Sequence, residues 1–207
     1  GEILLNGIDI RKYNYEEYLE LFSVVFQDFR LFSFSLGQNV AAAVGIDRER
    51  AASSLGQIGF GDRLKEMARG LDTPLYRDFD KDGVEISGGE AQKIALARAL
   101  YKDAPFIILD EPTAALDPIA EYEIYSGFEK LVGGKSAVYI SHRLSSCRFC
   151  DDIAVFEEGR LVQRGGHEEL LAGEDSLYAR LWNAQAQYYA GHTEEEDTLG
   201  MEPVYVS

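Results

Sequence analysis

The sequence predicts an α/β fold built on a parallel sheet. Two short, uninterrupted apolar runs, at residues 106–109 and 137–140, are typical of strands that are covered on both faces. A helical pattern over 118–131 separates them, and strand, helix and strand in this order predict a right-handed parallel crossover. The apolar share of 46% and the charged share of 27% are ordinary for a folded protein, which excludes a fibrous or wholly disordered chain.

The N-terminal residues predict an antiparallel β segment that is smaller than the parallel sheet. Within residues 1–36, strand-like runs at 3–5 and 8–10 flank Asn6-Gly7, which is a strong hairpin signal, and a further run lies at 21–26. After it, Ala51 and Leu55 recur at helical spacing, as do Leu64 and Met67. We therefore expect an inserted helical subdomain over residues 37–82.

The α/β core is predicted to consist of residues 1–36 and 83–190. A helix over 90–101 leads into the first buried strand, and runs at 153–156 and 161–163 predict a second hairpin.

The chain is predicted to end in an amphipathic helix and an acidic tail. Apolar residues recur at helical spacing from Leu177 to Tyr189. Residues 191–207, with four consecutive acidic residues at 194–197, predict a solvated, disordered tail.

Charge and cysteine content narrow the class of protein. The formal net charge is −16, and such a surface repels phosphate backbones, so we expect no nucleic-acid partner. Two cysteines cannot build a disulfide framework. The sequence has no apolar run long enough to span a membrane, so we expect that this chain does not cross one by itself. It begins with Gly1 rather than Met, so we expect a piece of a longer protein.

Two carboxylates close the first buried strand. Asp110 and Glu111 would emerge at the carboxyl end of a parallel strand, where α/β sheets place their ligands. One carboxylate can hold Mg²⁺ while the other accepts a proton from an attacking water. The alternative is an acidic strand end that caps the next element.

The start of the helix that precedes this strand also predicts a ligand site. Ser87 and Glu90 form an S-x-x-E capping box, which explains both residues structurally. Gly88 and Gly89 are not explained by it, and they leave bare N–H groups at the positive end of a helix, where proteins bind phosphate. An anion site therefore competes with a simple cap.

Five short motifs together resemble those of ABC-type ATPases. In chain order they are VVFQD at 24–28, SGGE at 87–90, ILDEPT at 108–113, ALD at 115–117 and ISH at 140–142. They resemble the Q-loop, the signature motif, Walker B, the D-loop and the switch histidine, and the segment at 80–85 resembles that of bacterial exporters. The resemblance covers residues 1 to about 189 and implies the parallel-sheet core of P-loop NTPases, here incomplete.

The resemblance implies a role for each motif residue. Gln27 would contact Mg²⁺ and the attacking water and report to the membrane domain. Asp110 would hold Mg²⁺, and Glu111 would be the catalytic base. His142 would contact the γ-phosphate, and Asp117 would communicate across a dimer.

The resemblance also implies cofactors and partners. Ser87, Gly88, Gly89 and Glu90 would bind ATP held by the opposite subunit, so that two sites form at a head-to-tail dimer of nucleotide-binding domains. Coupling helices of a transmembrane domain would dock near residues 29–34, whose phenylalanines can equally belong to the core. The implied location is the cytoplasmic face of a bacterial membrane.

Two departures from the family pattern stand out. Glu90 occupies the position where the family most often has Gln, and its extra negative charge would weaken closure on a triphosphate. The phosphate-binding motif G-x-x-x-x-G-K-[ST] occurs nowhere. We therefore expect this chain by itself neither to bind ATP tightly nor to hydrolyse it, and we expect exposed apolar sheet surface that favours self-association.

The sequence leaves other functions open. A non-catalytic ABC-like scaffold module would suit the missing motif but leaves Glu111 and His142 without a purpose. A DNA-repair ATPase of the same superfamily would carry long coiled coils between Gln27 and Ser87, where this sequence has no sustained heptads. Cys147 and Cys150 form a C-x-x-C that permits redox or metal chemistry, although the resemblance places both on a short helix.

Overall fold

The chain forms two compact units that divide between Ile140 and Ser141. The structure is a computed structural model that describes residues 1–113, 132–173 and 175–198.

A short hairpin opens the first unit. Strands β1 (Leu4–Leu5) and β2 (Ile8–Asp9) pair antiparallel, with Leu5 opposite Ile8. Asn6 and Gly7 between them have φ angles of 51° and 76°, the left-handed pair that a tight two-residue hairpin turn requires. The predicted hairpin is confirmed.

A helix follows where the sequence predicted only β structure and turns. Helix α1 spans Tyr15–Glu20, and the side chain of Asn14 caps it by accepting hydrogen bonds from the backbone N–H groups of Glu16 and Glu17. These two acids also lie at the positive end of the helix dipole. The prediction of a β-rich segment over residues 1–36 is wrong for this stretch.

Three parallel strands form a sheet in the first unit. Strands β3 (Phe22–Val25), β4 (Phe106–Asp110) and β5 (Ser136–Ile140) lie in the order β3-β4-β5. Because all three run the same way, with Val25 beside Leu109 and Asp110 beside Ile140, their carboxyl ends meet at one edge. The parallel sheet is confirmed, whereas the predicted helix over 118–131 lies outside the described residues.

The edge strand of this sheet exposes apolar side chains. Val138 is 55% exposed and Ile140 is 49% exposed. Strand β5 is exposed or half-exposed along its whole length, so the prediction that residues 137–140 form a strand covered on both faces is wrong. Exposed apolar surface on the sheet was also predicted, and self-association of the chain stays a prediction.

Residues 37–82 contain helices, and the inserted helical subdomain over this range stays a prediction. They include most of α2 (Leu36–Ala41) together with α3 (Arg48–Gln57), α4 (Gly61–Glu66) and a 3₁₀ turn, Gly70–Asp72. Their apolar side chains share one core with the sheet and with the helix that precedes β4. That core includes Leu36, Val40, Leu55, Ile94 and Leu109.

Helix α5 spans Gly88–Lys102 and begins two residues before its predicted start. The turn that leads into it needs glycine at position 83, because a Cβ there would lie 1.8 Å from the carbonyl oxygen of Tyr76. This close approach fixes the path of the backbone only four residues before Ser87.

The second unit contains a hairpin and two helices. Strands β6 (Ile153–Glu157) and β7 (Arg160–Gly165) pair antiparallel, which confirms the second predicted hairpin. Helices α6 (His167–Ala172) and α7 (Leu177–Thr198) follow. Its small core consists of Ile153, Val155, Leu170 and Tyr178.

The last helix corrects the prediction for the tail. Helix α7 continues through Thr198, whereas the sequence predicted disorder from residue 191. Glutamate is a good helix former, and the stretch up to Thr198 contains no proline, so an established helix can continue into it. Residues 199–207 lie outside the described residues.

Cys147 lies in a 3₁₀ segment, Leu144–Phe149, as the resemblance implied, and Cys150 directly follows that segment. Both are half-buried free thiols that pack against the small core. Burial raises the pKa of Cys150 to about 11, so this thiol stays protonated and unreactive near neutral pH.

Candidate functional site

The structure brings Gln27 and Glu111 together at the carboxyl edge of the parallel sheet. Gln27 lies two residues after β3, and Glu111 directly follows β4. The Nε2 atom of Gln27 donates a hydrogen bond to Oε2 of Glu111 at 3.1 Å, across 84 residues of sequence. Adjacent parallel strands therefore place the amide of Gln27 against the carboxylate of Glu111.

The backbone of Glu111 adopts a conformation that residues other than glycine rarely use. Its φ angle is +46°, in the left-handed region. Its N–H donates to the carbonyl of Ile140 at 3.0 Å, and its own carbonyl accepts a hydrogen bond from Nε2 of Gln92 at 3.1 Å. Strained backbone held by its surroundings clusters at functional sites, which fits the role predicted for this residue.

Gln92 is a site residue that the sequence analysis missed. It lies on α5, two residues after the signature motif, and is only 2% exposed. A polar side chain among the buried residues of an otherwise apolar helix face is the signal that would have identified it. Its bond links the signature helix to the backbone of Glu111.

The oxygen donors at this edge fit Mg²⁺. Asp110, the last residue of β4, offers a carboxylate, and Gln27 offers an amide oxygen. The described residues contain no group of three or more His, Cys, Asp or Glu side chains placed to hold a metal ion. Mg²⁺ is usually bound by one or two carboxylates together with water and substrate phosphates, so such a small donor set suits it.

The capping box at the start of α5 is present. The Oγ atom of Ser87 accepts a hydrogen bond from the N–H of Glu90 at 3.3 Å. In return, Oε2 of Glu90 accepts from the N–H of Ser87 at 2.9 Å and from its Oγ at 2.8 Å. Gly88 and Gly89 form the first helical turn, where N–H groups have no partners within the helix.

The other oxygen of Glu90 forms an ion pair. Nε of Arg63, on α4, lies 2.7 Å from Oε1 of Glu90. Partial burial raises the pKa of Glu90, but the hydrogen bonds from Ser87 and the charge of Arg63 outweigh burial and hold that pKa below its ordinary value. Glu90 is therefore charged at neutral pH, and Arg63 is its cation.

The segment after Gln27 exposes aromatic side chains. Phe26, Phe32 and Phe34 are 59%, 58% and 57% exposed, whereas Phe29 packs against the core. The buried side chain of Asn39 holds this segment, because its Oδ1 accepts from the N–H of Phe32 at 2.8 Å and its Nδ2 donates to the carbonyl of Phe32 at 2.9 Å. A fixed, exposed aromatic surface results.

The roles of two further predicted site residues, His142 and Asp117, are not tested by the described residues. His142 belongs to the second unit, where its carbonyl accepts a hydrogen bond from the side chain of Gln185. Asp117 lies outside the described residues. Their roles stay predictions.

No helix within the described ranges is both long enough and apolar enough to cross a membrane.

Comparison with known proteins gives one consistent family. A family model described as ABC transporter matches residues 1–114. The ATP-dependent lipid A-core flippase of Paraburkholderia xenovorans (strain LB400) is 39% identical over 190 residues, which cover 92% of this chain and 31% of the flippase. The flippase of Vibrio vulnificus (strain YJ016) is also 39% identical over 190 residues, covering 89% of this chain and 31% of that protein.

A solved structure shares the fold. A bacterial Atm1-family ABC exporter with ATP bound superposes with a TM-score of 0.81 at 33% identity, covering 90% of this chain and 32% of the exporter chain. The chain thus spans about a third of the length of the proteins that it matches. The α/β fold with a parallel sheet, predicted from the sequence, is confirmed, and the chain belongs to the ABC transporter family.

Proposed function

We propose that this chain forms part of the nucleotide-binding domain of an ABC exporter and takes part in the ATP hydrolysis that drives substrate across a membrane. The observation that carries the proposal is the hydrogen bond between Gln27 and Glu111, which sets an amide and a carboxylate side by side at the ligand edge of a parallel sheet. The names of the relatives, flippase and exporter, favour transport over DNA repair as the coupled process.

Glu111 acts as the general base in this proposal. Its carboxylate accepts a proton from the water that attacks the γ-phosphorus of ATP, and ADP leaves with the β-phosphate oxygen. The bond from Gln27 orients the carboxylate, while the bonds of Gln92 and Ile140 fix the backbone from which it projects. A retained base of this kind is what a purely scaffolding module would not need.

Asp110 and Gln27 hold Mg²⁺ at the same edge. When bound, Mg²⁺ neutralises the charge that develops on the transferred phosphoryl group. Asp110 supplies a carboxylate oxygen from the end of β4, and Gln27 supplies its amide oxygen while its NH₂ group stays on Glu111.

The signature motif serves the opposite subunit. The N–H groups of Gly88 and Gly89, in the first turn of α5, bind the phosphates of ATP held by a second nucleotide-binding domain in a head-to-tail dimer, and the capping box of Ser87 and Glu90 shapes this turn. Asp117 and His142 complete the site in the roles that the family resemblance implies.

The membrane partner docks beside the Q-loop. The exposed phenylalanines among residues 26–34 offer an apolar surface that Asn39 holds in place, and a coupling helix of a transmembrane domain is its occupant. This arrangement puts the domain at the cytoplasmic face of a bacterial membrane. Gln27, at the start of the same segment, connects the docking surface to Glu111.

The test replaces Glu111 in the full transporter that contains this sequence. Glu111→Gln keeps the hydrogen-bonding shape but removes the base, so ATP turnover falls by about 100-fold or more while Mg-ATP binding is retained. Glu157→Gln, at an exposed strand end in the second unit, is the matched control and leaves turnover unchanged. Turnover by Glu111→Gln within about threefold of the parent would rule out the proposed role.

A further inference from the structure

We propose that Arg63 is a positioning residue for nucleotide binding, which cancels the extra charge of the signature motif and so makes Glu90 compatible with a triphosphate. The inference rests on the proposed function, since it concerns the same nucleotide. No motif of the sequence pointed to Arg63.

The geometry fixes both oxygens of the Glu90 carboxylate. Oε2 accepts the two hydrogen bonds from Ser87, and Oε1 faces Nε of Arg63 at 2.7 Å. The same guanidinium reaches Glu66 through its NH1 atom at the longer distance of 3.4 Å. The shorter contact is therefore the one between Arg63 and Glu90, which lie 27 positions apart in the sequence.

The charge of Glu90 has two opposite effects. A negative charge in the first turn stabilises a helix, because it lies at the positive end of the dipole. The same charge repels the anion that this turn is proposed to bind. Glutamine at this position would make the capping box without that repulsion, so a sequence with glutamate gains from a cation placed against it.

Arg63 supplies the cation from a sheltered position. Its side chain is 38% exposed and that of Glu90 is 25% exposed, so solvent and salt screen the pair less than they would screen a fully exposed one. The hydrogen bonds from Ser87 keep Glu90 charged near neutral pH. Protonation therefore does not remove the negative charge of Glu90, and the positive charge of Arg63 offsets it instead. The ion pair also ties α4 to the start of α5.

The experiment measures ATP-driven dimerisation in the full transporter or its complete nucleotide-binding domain. All proteins carry Glu111→Gln so that ATP is not consumed, and sedimentation reports the Mg-ATP concentration at half-maximal association. Arg63→Gln raises that concentration about two- to fivefold, the range for losing a partly exposed ion pair. Lys65→Gln removes a positive charge from the same helix, where Lys65 pairs with Asp62, and causes no shift.

The double variant separates charge from structure. Arg63→Gln with Glu90→Gln restores the parental concentration, because no uncompensated acid remains, and the deficit of Arg63→Gln shrinks as salt is raised. A double variant as impaired as Arg63→Gln, or an Arg63→Gln protein equal to the parent, overturns the inference. A parent that shows no ATP-driven association overturns the proposed function and this inference with it.

Discussion

Glu90, at the start of α5, and Glu111, at the end of β4, are held in place by different means. Glu90 has one oxygen on the cation of Arg63 and the other on Ser87. The carboxylate of Glu111 accepts from the neutral amide of Gln27, and its backbone is fixed by Gln92 and Ile140.

The difference follows from what each carboxylate has to do. An ion pair holds a side chain still and cancels its charge, which suits a residue beside a bound anion. The amide of Gln27 orients the carboxylate of Glu111 and adds no charge of its own, which suits a group that has to accept a proton or face a metal ion. A glutamate therefore has a structural role at position 90 and a proposed catalytic role at position 111.

The largest effect is expected at the sheet edge, from Asp110→Asn. The amide keeps the shape of the side chain but loses the negative charge that attracts Mg²⁺, so turnover in the full transporter falls by at least about 100-fold. Turnover is measured against Mg²⁺ concentration, with Asp151→Asn in the second unit as the control. If Asp110→Asn keeps parental turnover at ordinary Mg²⁺, the metal does not lie at this edge.

A smaller effect is expected from Gln92→Met, which keeps the length of the side chain and removes its N–H donor. The carbonyl of Glu111 loses that bond, and the carboxylate becomes less well oriented, so turnover falls about three- to tenfold while Mg-ATP binding stays constant. Gln57→Met, which removes an exposed amide bonded to Ser53, serves as control. Equal losses in binding and turnover would show that Gln92 supports the fold rather than Glu111.

The smallest effect is expected from Glu90→Gln, at the start of α5, as a pH-dependent loss of stability. Because the pKa of Glu90 is lowered in the folded chain, its contribution is present above the ordinary value of about 4.3 and is lost as pH falls through the lower folded value. Glu90→Gln therefore lowers the urea midpoint of this chain by roughly 0.3 M at pH 7, and the gap to the parent narrows as pH falls below the ordinary pKa of a glutamate. A gap that stays constant as the solution is acidified contradicts the assigned ion pair.

Much of the fold was predictable because its signals are local. The Asn6-Gly7 turn and the capping box of Ser87 and Glu90 depend on residues within a few positions of each other. The parallel pairing of β4 and β5 followed from two apolar runs with a helical segment between them.

The features that escaped prediction depend on contacts across the fold. Arg63 lies 27 residues from Glu90, and Gln92 lies 19 residues from Glu111, so no sequence period links either pair. Helix α1 was missed although Asn14 is a good capping residue, because a helix of six residues leaves little periodicity to detect.

The most direct test is a calorimetric titration of Mg-ATP into this chain and into a version preceded by a phosphate-binding loop region. It tests whether this chain is part of an ATP-binding domain that needs such a loop. The phosphate-binding motif does not occur in this sequence, and the loss of about three charge-assisted contacts that such a motif makes to phosphates is expected to weaken the affinity at least about a thousandfold. The account predicts micromolar binding by the extended protein and none by the chain alone. Micromolar binding by the chain alone, or by neither protein, would contradict it.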